Sequence, residues 1–170
     1  IEYNDLDKLL KKNSINYIIH AAAKSPTSDT KIDDYIKSNI ELTNFFINKS
    51  IAYGIKNFIF LSSLSIYGES KKNFIDEKTE IINPSDYGIS KLICEKIIIQ
   101  NANKINFSII RLPGVVGKNS VRNWLTNILA DVKSNKEINI FNPSHNFNNI
   151  IHVDDLCKFI NHLIKLNLKI

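Results

Sequence analysis

The sequence predicts an α/β fold built on a doubly wound parallel sheet, and two features point to it. Three short, almost unbroken apolar runs stand out: Tyr17-Ile18-Ile19-His20, Phe58-Ile59-Phe60-Leu61 and Phe107-Ser108-Ile109-Ile110. Each is too short for a helix and lacks polar alternation, which is how strands read when a parallel sheet is covered on both faces. Longer segments with helical periodicity separate them. Strand, helix, strand, helix, strand, joined by right-handed crossovers, is the rhythm of such a sheet.

Taken in order, the first strand ends at His20 and runs into Ala21-Ala22-Ala23, small residues that let a flat ligand approach the backbone. Residues 33–53 place Ile36, Ile40, Phe46 and Ile47 near one helical face. The second strand ends in two hydroxyls, Ser62 and Ser63, at the carboxyl edge where ligands bind in open parallel sheets. Residues 64–85 show no clear periodicity and are too long for an idle connection, so they read as a functional loop. Residues 86–101 form the next helix, with Ile89, Leu92, Ile93 and Ile97 near one face. After the third strand come a helix over 122–133, a short strand around 138–140, and a last helix starting at Asp154 or Asp155 and reaching about 164.

Composition narrows the classes. The chain has 170 residues, 44% hydrophobic and 23% charged, as expected of a folded domain with its own core. Cys94 and Cys157 make no disulfide framework, and no Cys/His cluster has zinc spacing, so no metal is expected and a reducing cytoplasm is. No apolar run is long enough for a membrane span, and the first residues are not a signal peptide. The net charge of +5 comes from basic residues scattered among Ile and Asn. Without a basic run or interleaved aromatics, that pattern reads as a solvated surface and not as a nucleic-acid interface. The chain holds no Met and opens on Ile1, which reads as a fragment.

The chemistry centres on Tyr87-Gly88-Ile89-Ser90-Lys91. A spacing of four puts the Tyr87 phenol and the Lys91 ammonium on one helical face. A phenol titrates near pH 10 and is a poor base at neutrality; a nearby ammonium stabilises the phenolate and equips the pair for proton exchange with a hydroxyl or carbonyl. The pair alone also arises by chance, as Ser62 and Ser63 alone would read as a plain strand-ending turn.

Together the motifs resemble a known family. His20-Ala21-Ala22-Ala23, Asn39, Phe60-Leu61-Ser62-Ser63 with Ile66-Tyr67-Gly68, Tyr87-Gly88-x-Ser90-Lys91, Ile110-Arg111-Leu112-Pro113 and Ile151-His152-Val153-Asp154-Asp155 occur in the order seen in extended short-chain dehydrogenases/reductases. These are the NAD-dependent epimerase/dehydratase enzymes of nucleotide sugars. Ser63 precedes Tyr87 by 24 positions (87 − 63), the separation this family has. The resemblance implies a Rossmann-like sheet, incomplete at its N-terminus, with residues 1–120 as a partial dinucleotide-binding and catalytic domain and 121–170 as the beginning of a substrate-binding region. It implies Tyr87 as acid/base, Lys91 lowering its pKa and bonding the nicotinamide ribose, and Ser63 holding the reacting oxygen. Ala21, Ala22, Ala23, Ser62, Pro113 and Val115 would line the cleft of an NAD or NADP cofactor. Asn39 would be a structural polar residue bonding nearby backbone. Ser63, Lys118 and Arg122 would meet a nucleotide-sugar substrate, and the full-length protein would be a homodimer.

The glycine-rich fingerprint of the family is absent, since the five glycines stand at 54, 68, 88, 114 and 117. The first strands and the pyrophosphate-binding turn would therefore precede Ile1, leaving the 17–20 strand with an open edge. Leu64-Ser65 after Ser63 cannot supply the acid/base carboxyls of a 4,6-dehydratase, which leaves an epimerase or a ketosugar reductase. The alternative is a non-catalytic NAD(P)-sensing or scaffold protein of the same fold. A serine hydrolase falls for want of a G-x-S-x-G elbow.

Overall fold

The three apolar runs become the strands of one sheet. A computed structural model describes residues 3–118, 120, 124–139 and 150–166. The elements are α1 (Tyr3–Lys12), β1 (Tyr17–His20), α2 (Ile32–Tyr35), a π-helical segment (Ile36–Glu41), α3 (Leu42–Ala52), β2 (Asn57–Ser63) and a 3₁₀ turn (Leu64–Tyr67). There follow α4 (Asp86–Gln100), β3 (Asn106–Leu112), β4 (Gly114–Val116), α5 (Trp124–Lys133), β5 (Ile150–His152) and α6 (Val153–Leu166). The larger sheet has the order β1-β2-β3. β1 and β2 are parallel, with Tyr17 opposite Asn57 and His20 opposite Phe60. That register sends residues 21–23 and 61–63 out over the same sheet edge.

The core joins Phe58 and Phe60 of β2 to Ile47 of α3, Cys94 and Ile98 of α4, and Ile105. Two helical faces differ from the sequence expectation, each for a physical reason. In the 33–53 segment Ile36 is 39% exposed while Ile47 is fully buried. The wider π turn between them inserts a residue and rotates the following face, so one helical wheel cannot describe both halves. In α4 the side turned inward is Gly88, Lys91, Glu95 and Ile98, flanked by Ser90 and Cys94, whereas Ile89 and Ile93 face outward. Lys91 and Glu95 can be buried because each finds a partner, described below, and an unpartnered charge could not be.

The chain divides into two compact units between Arg111 and Leu112. In the second unit β4 pairs in parallel with β5, Val115 opposite Ile151. Ile138 and Asn139 lie in neither helix nor strand, so the strand expected there is not formed by them, and Ile140 lies outside the described residues. α6 buries Leu156, Ile160 and Leu163. It starts at Val153, and the Asp154 N–H donates to His152 Nδ1 (3.3 Å), so an imidazole takes the capping role expected of an aspartate. None of the helices among the described residues is long and apolar enough to cross a membrane.

Candidate active site

The 3₁₀ turn after β2 and the first turn of α4 build the site against each other. Ser63 caps the 3₁₀ turn: its Oγ accepts from the Ser65 N–H (3.1 Å) and donates to Ser65 Oγ (3.0 Å). Ser85 caps α4 in the same manner, accepting from the Gly88 N–H (3.3 Å). Between them lies Gly88, where a Cβ would stand 2.3 Å from the carbonyl oxygen of Ser65. Only glycine lets the helix approach the turn this closely, and that approach sets Tyr87, at the start of α4, near enough to Ser63 for Ser63 to act on its phenol. Gly68 ends the turn with φ +61°, and a Cβ there would collide with the Ile82 carbonyl.

The electrostatics of the pair differ from the sequence expectation. The Tyr87 phenol is pushed above its ordinary value, chiefly by burial, with nearby Ser63 opposing and Tyr35 and Cys94 adding to the rise. Lys91 is not among the described groups that shift it. The reason is where the ammonium points: Lys91 Nζ sits 4.0 Å from the centre of the Phe60 ring, a cation–π contact with the sheet. Lys91 itself, 3% exposed, titrates near 8, lowered by burial and held up by Cys94 and Glu95. Beneath it His20, packed against Phe46, Phe58 and Phe60, is lowered to about 4 by burial and by Lys91, and is neutral. Its Nε2 lies 3.0 Å from Thr43 Oγ1.

Asn39, in the π-helical segment, ties the site together. Its Oδ1 accepts from the Lys24 N–H (2.7 Å) and its Nδ2 donates to Ser90 Oγ (2.9 Å), linking the loop after β1 to α4. The Ser90 hydroxyl donates in turn to the Tyr87 carbonyl (2.8 Å). Ser62, 4% exposed, presents a hydroxyl with no hydrogen-bond partner among the described residues, an orphan at the strand edge that a bound ligand would satisfy.

Of the residues named from the sequence, Ser62, Ser63, Tyr87 and Lys91 lie together on β2 and the facing stripe of α4. Ala21 to Ala23 leave β1 over the same sheet edge, Ala21 and Ala22 exposed. Pro113, Val115 and Lys118 belong to the second unit, with Val115 on β4 and Lys118 exposed. Arg122 lies outside the described residues. No group of His, Cys, Asp and Glu able to hold a metal occurs among the described residues. Sequence reading missed the buried Glu95 on the same stripe and its partner Arg111. The signal was present, since Glu95 follows Lys91 by four and continues the Tyr87-Lys91 line.

Comparison with known proteins adds independent findings. The family model described as "NAD dependent epimerase/dehydratase family" matches residues 2–168. The chain is 28% identical to a UDP-glucose 4-epimerase of Haemophilus influenzae, over 93% of this chain and 53% of that protein. It is 24% identical to an ADP-L-glycero-D-manno-heptose-6-epimerase of Brachyspira hyodysenteriae, over 89% of this chain and 50% of that one. It therefore spans about half the length of these relatives. Its fold matches a UDP-glucuronic acid 4-epimerase of Bacillus cereus in complex with NAD (TM-score 0.84, 23% identity, 97% of this chain and 54% of that one). It also matches the Bordetella bronchiseptica enzyme WbmH in complex with NAD+ (TM-score 0.85, 16% identity, 96% and 54%).

Proposed function

The chain belongs to the NAD dependent epimerase/dehydratase family, and from that premise we propose that its chemistry is the NAD-dependent epimerisation of a nucleotide sugar. One observation carries the reading: the glycine contact at Gly88 packs the start of α4 on the Ser63 turn, so that Tyr87 lies near Ser63 and one helical turn from Lys91, while β2 presents a Ser62 hydroxyl with no partner among the described residues. The residues present suit the cofactor. The Ser62 hydroxyl and the backbone of residues 21–23 would hold it from the sheet edge, with Lys91 on the helix side. When bound, NAD supplies the acceptor and donor of a hydride at a sugar carbon.

The side chains handle the proton. Tyr87 accepts it from the sugar hydroxyl as that carbon is oxidised, and returns it when the carbon is reduced on the opposite face. Ser63 donates to the same oxygen and stabilises the charge that develops there, once it turns its hydroxyl from Ser65 Oγ. Burial alone favours the protonated phenol, so the accepting step requires Tyr87 to release its proton to solvent first, which the positive charges of bound NAD and of Lys91 would favour; the returning step then restores the neutral phenol. A dehydratase would need carboxyls after Ser63, and Leu64 and Ser65 stand there instead. Pairing of two copies belongs to the same reading, supported by Ile89 and Ile93, exposed at 42% and 39% on the outer side of α4.

The experiment is to supply the full-length protein with NAD and a panel of UDP-sugars and to follow epimeric product. An epimer formed from at least one sugar supports the reading. NAD bound with no epimer from any sugar supports the non-catalytic alternative.

A further inference from the structure

The 64–85 loop is tied to α4 and β3 through three residues that take no part in the proton chemistry above. Glu95, 1% exposed, lies on α4 one turn beyond Lys91. Arg111, at the end of β3, grips it with two groups: Nε to Oε1 (3.1 Å) and NH2 to Oε2 (2.7 Å). The remaining arm of the guanidinium donates to the Tyr67 hydroxyl (2.5 Å), and its central carbon lies 5.0 Å from the Tyr67 ring centre. Tyr67 passes the contact on, donating to the Asp76 carbonyl (2.6 Å). Asp76 closes a small turn with Thr79, whose Oγ1 donates to Asp76 Oδ1 (2.8 Å). The flanks of the loop are laced by Glu69 N–H to Ile82 O (2.8 Å) and Ile82 N–H to Tyr67 O (3.2 Å).

Tyr67 is the last residue of the 3₁₀ turn whose cap is Ser63. The geometry points to Arg111 as a positioning residue: by joining Glu95 of the Tyr87-Lys91 helix to Tyr67, it latches the far end of the Ser63 turn and holds Ser63 against Tyr87. The inference rests on the reading of Ser63 and Tyr87 as the groups that meet the sugar oxygen. Three donors in one plane are in use at once, which a guanidinium offers and an ammonium does not.

Two variants test it in this chain. Tyr67→Phe keeps the ring, 3% exposed, and removes only the hydroxyl. Arg111→Lys keeps a charge opposite Glu95 and loses the fork. In both, hydrogen exchange at the Glu69 and Ile82 amides should rise about tenfold or more, the scale of a lost charge-assisted hydrogen bond, while the Phe58 to Phe60 amides of β2 stay as protected as before. With NAD and an accepted UDP-sugar, kcat should fall about tenfold and KM should hold within about twofold. Unchanged exchange at Glu69 and Ile82 in Tyr67→Phe overturns the latch. Faster exchange with unchanged kcat overturns the positioning of Ser63. Neither outcome touches the reading beneath, which stands or falls with Tyr87→Phe.

Discussion

At Gly88 one missing methyl group decides how closely α4 packs on the Ser63 turn. Alanine is the better helix former by about 1 kcal/mol, yet its Cβ would lie 2.3 Å from the Ser65 carbonyl oxygen, a backbone atom that no rotamer change can move aside. Overpacking of this kind costs about 1–3 kcal/mol and shifts backbone, so the clash wins. Gly88→Ala should lower the unfolding free energy by about 1 kcal/mol, read as a lower denaturant midpoint; an equal or higher midpoint would show that the turn gives way freely. The sequence carried this residue only as part of a motif, because close approach is a property of two segments and a one-dimensional pattern shows one. Tyr87 and Lys91 were legible because a spacing of four is enough to place both on one face. The direction of the Lys91 ammonium was not, since it depends on Phe60 from another element.

The elements show where periodicity succeeds and where it stops. The three strands of the larger sheet were legible because short apolar runs covered on both faces leave few other readings, whereas the three-residue strands β4 and β5 carried no such run. The inward face of α4 was not, because Lys91 and Glu95 look solvent-facing until their partners on β2 and β3 are known. The π-helical segment was equally hidden, and its consequence is functional: it places Asn39 where one amide reaches both Lys24 and Ser90. Asn39→Ala would strand the Lys24 N–H and cut the tie to α4, a loss of about 1–3 kcal/mol. Denaturant unfolding should register that loss, and faster exchange at the Lys24 amide should accompany it. Retained protection of that amide would mean that other contacts hold the loop.

Across the whole chain the buried base His20 makes stability depend on pH. Its ordinary value is 6.5 and the fold lowers it to about 4. Between those values the unfolded chain binds a proton that the folded chain refuses, so stability falls as pH falls through this window. The loss approaches about 3 kcal/mol and is complete below the folded value. Asp7 and Asp76, held below their ordinary 3.8 by hydrogen bonds from Lys49 and Thr79 respectively, act at lower pH. His20→Gln should therefore flatten the decline between about pH 6 and pH 4.5, measured by denaturant midpoints at each pH; an identical slope in the variant would assign the decline to other groups. This linkage could not be read from the sequence, where His20 is one more strand-end residue.

The account turns on Tyr87 as the group that moves the proton, and Tyr87→Phe is its most direct test. The variant keeps the ring and loses the phenol. On the reading proposed above, the full-length protein with NAD and an accepted UDP-sugar should show transient near-ultraviolet absorbance of reduced nicotinamide and release epimer, and Tyr87→Phe should bind NAD equally well while turning over at least about a hundredfold more slowly. A Tyr87→Phe chain that matches the wild-type rate would contradict the account.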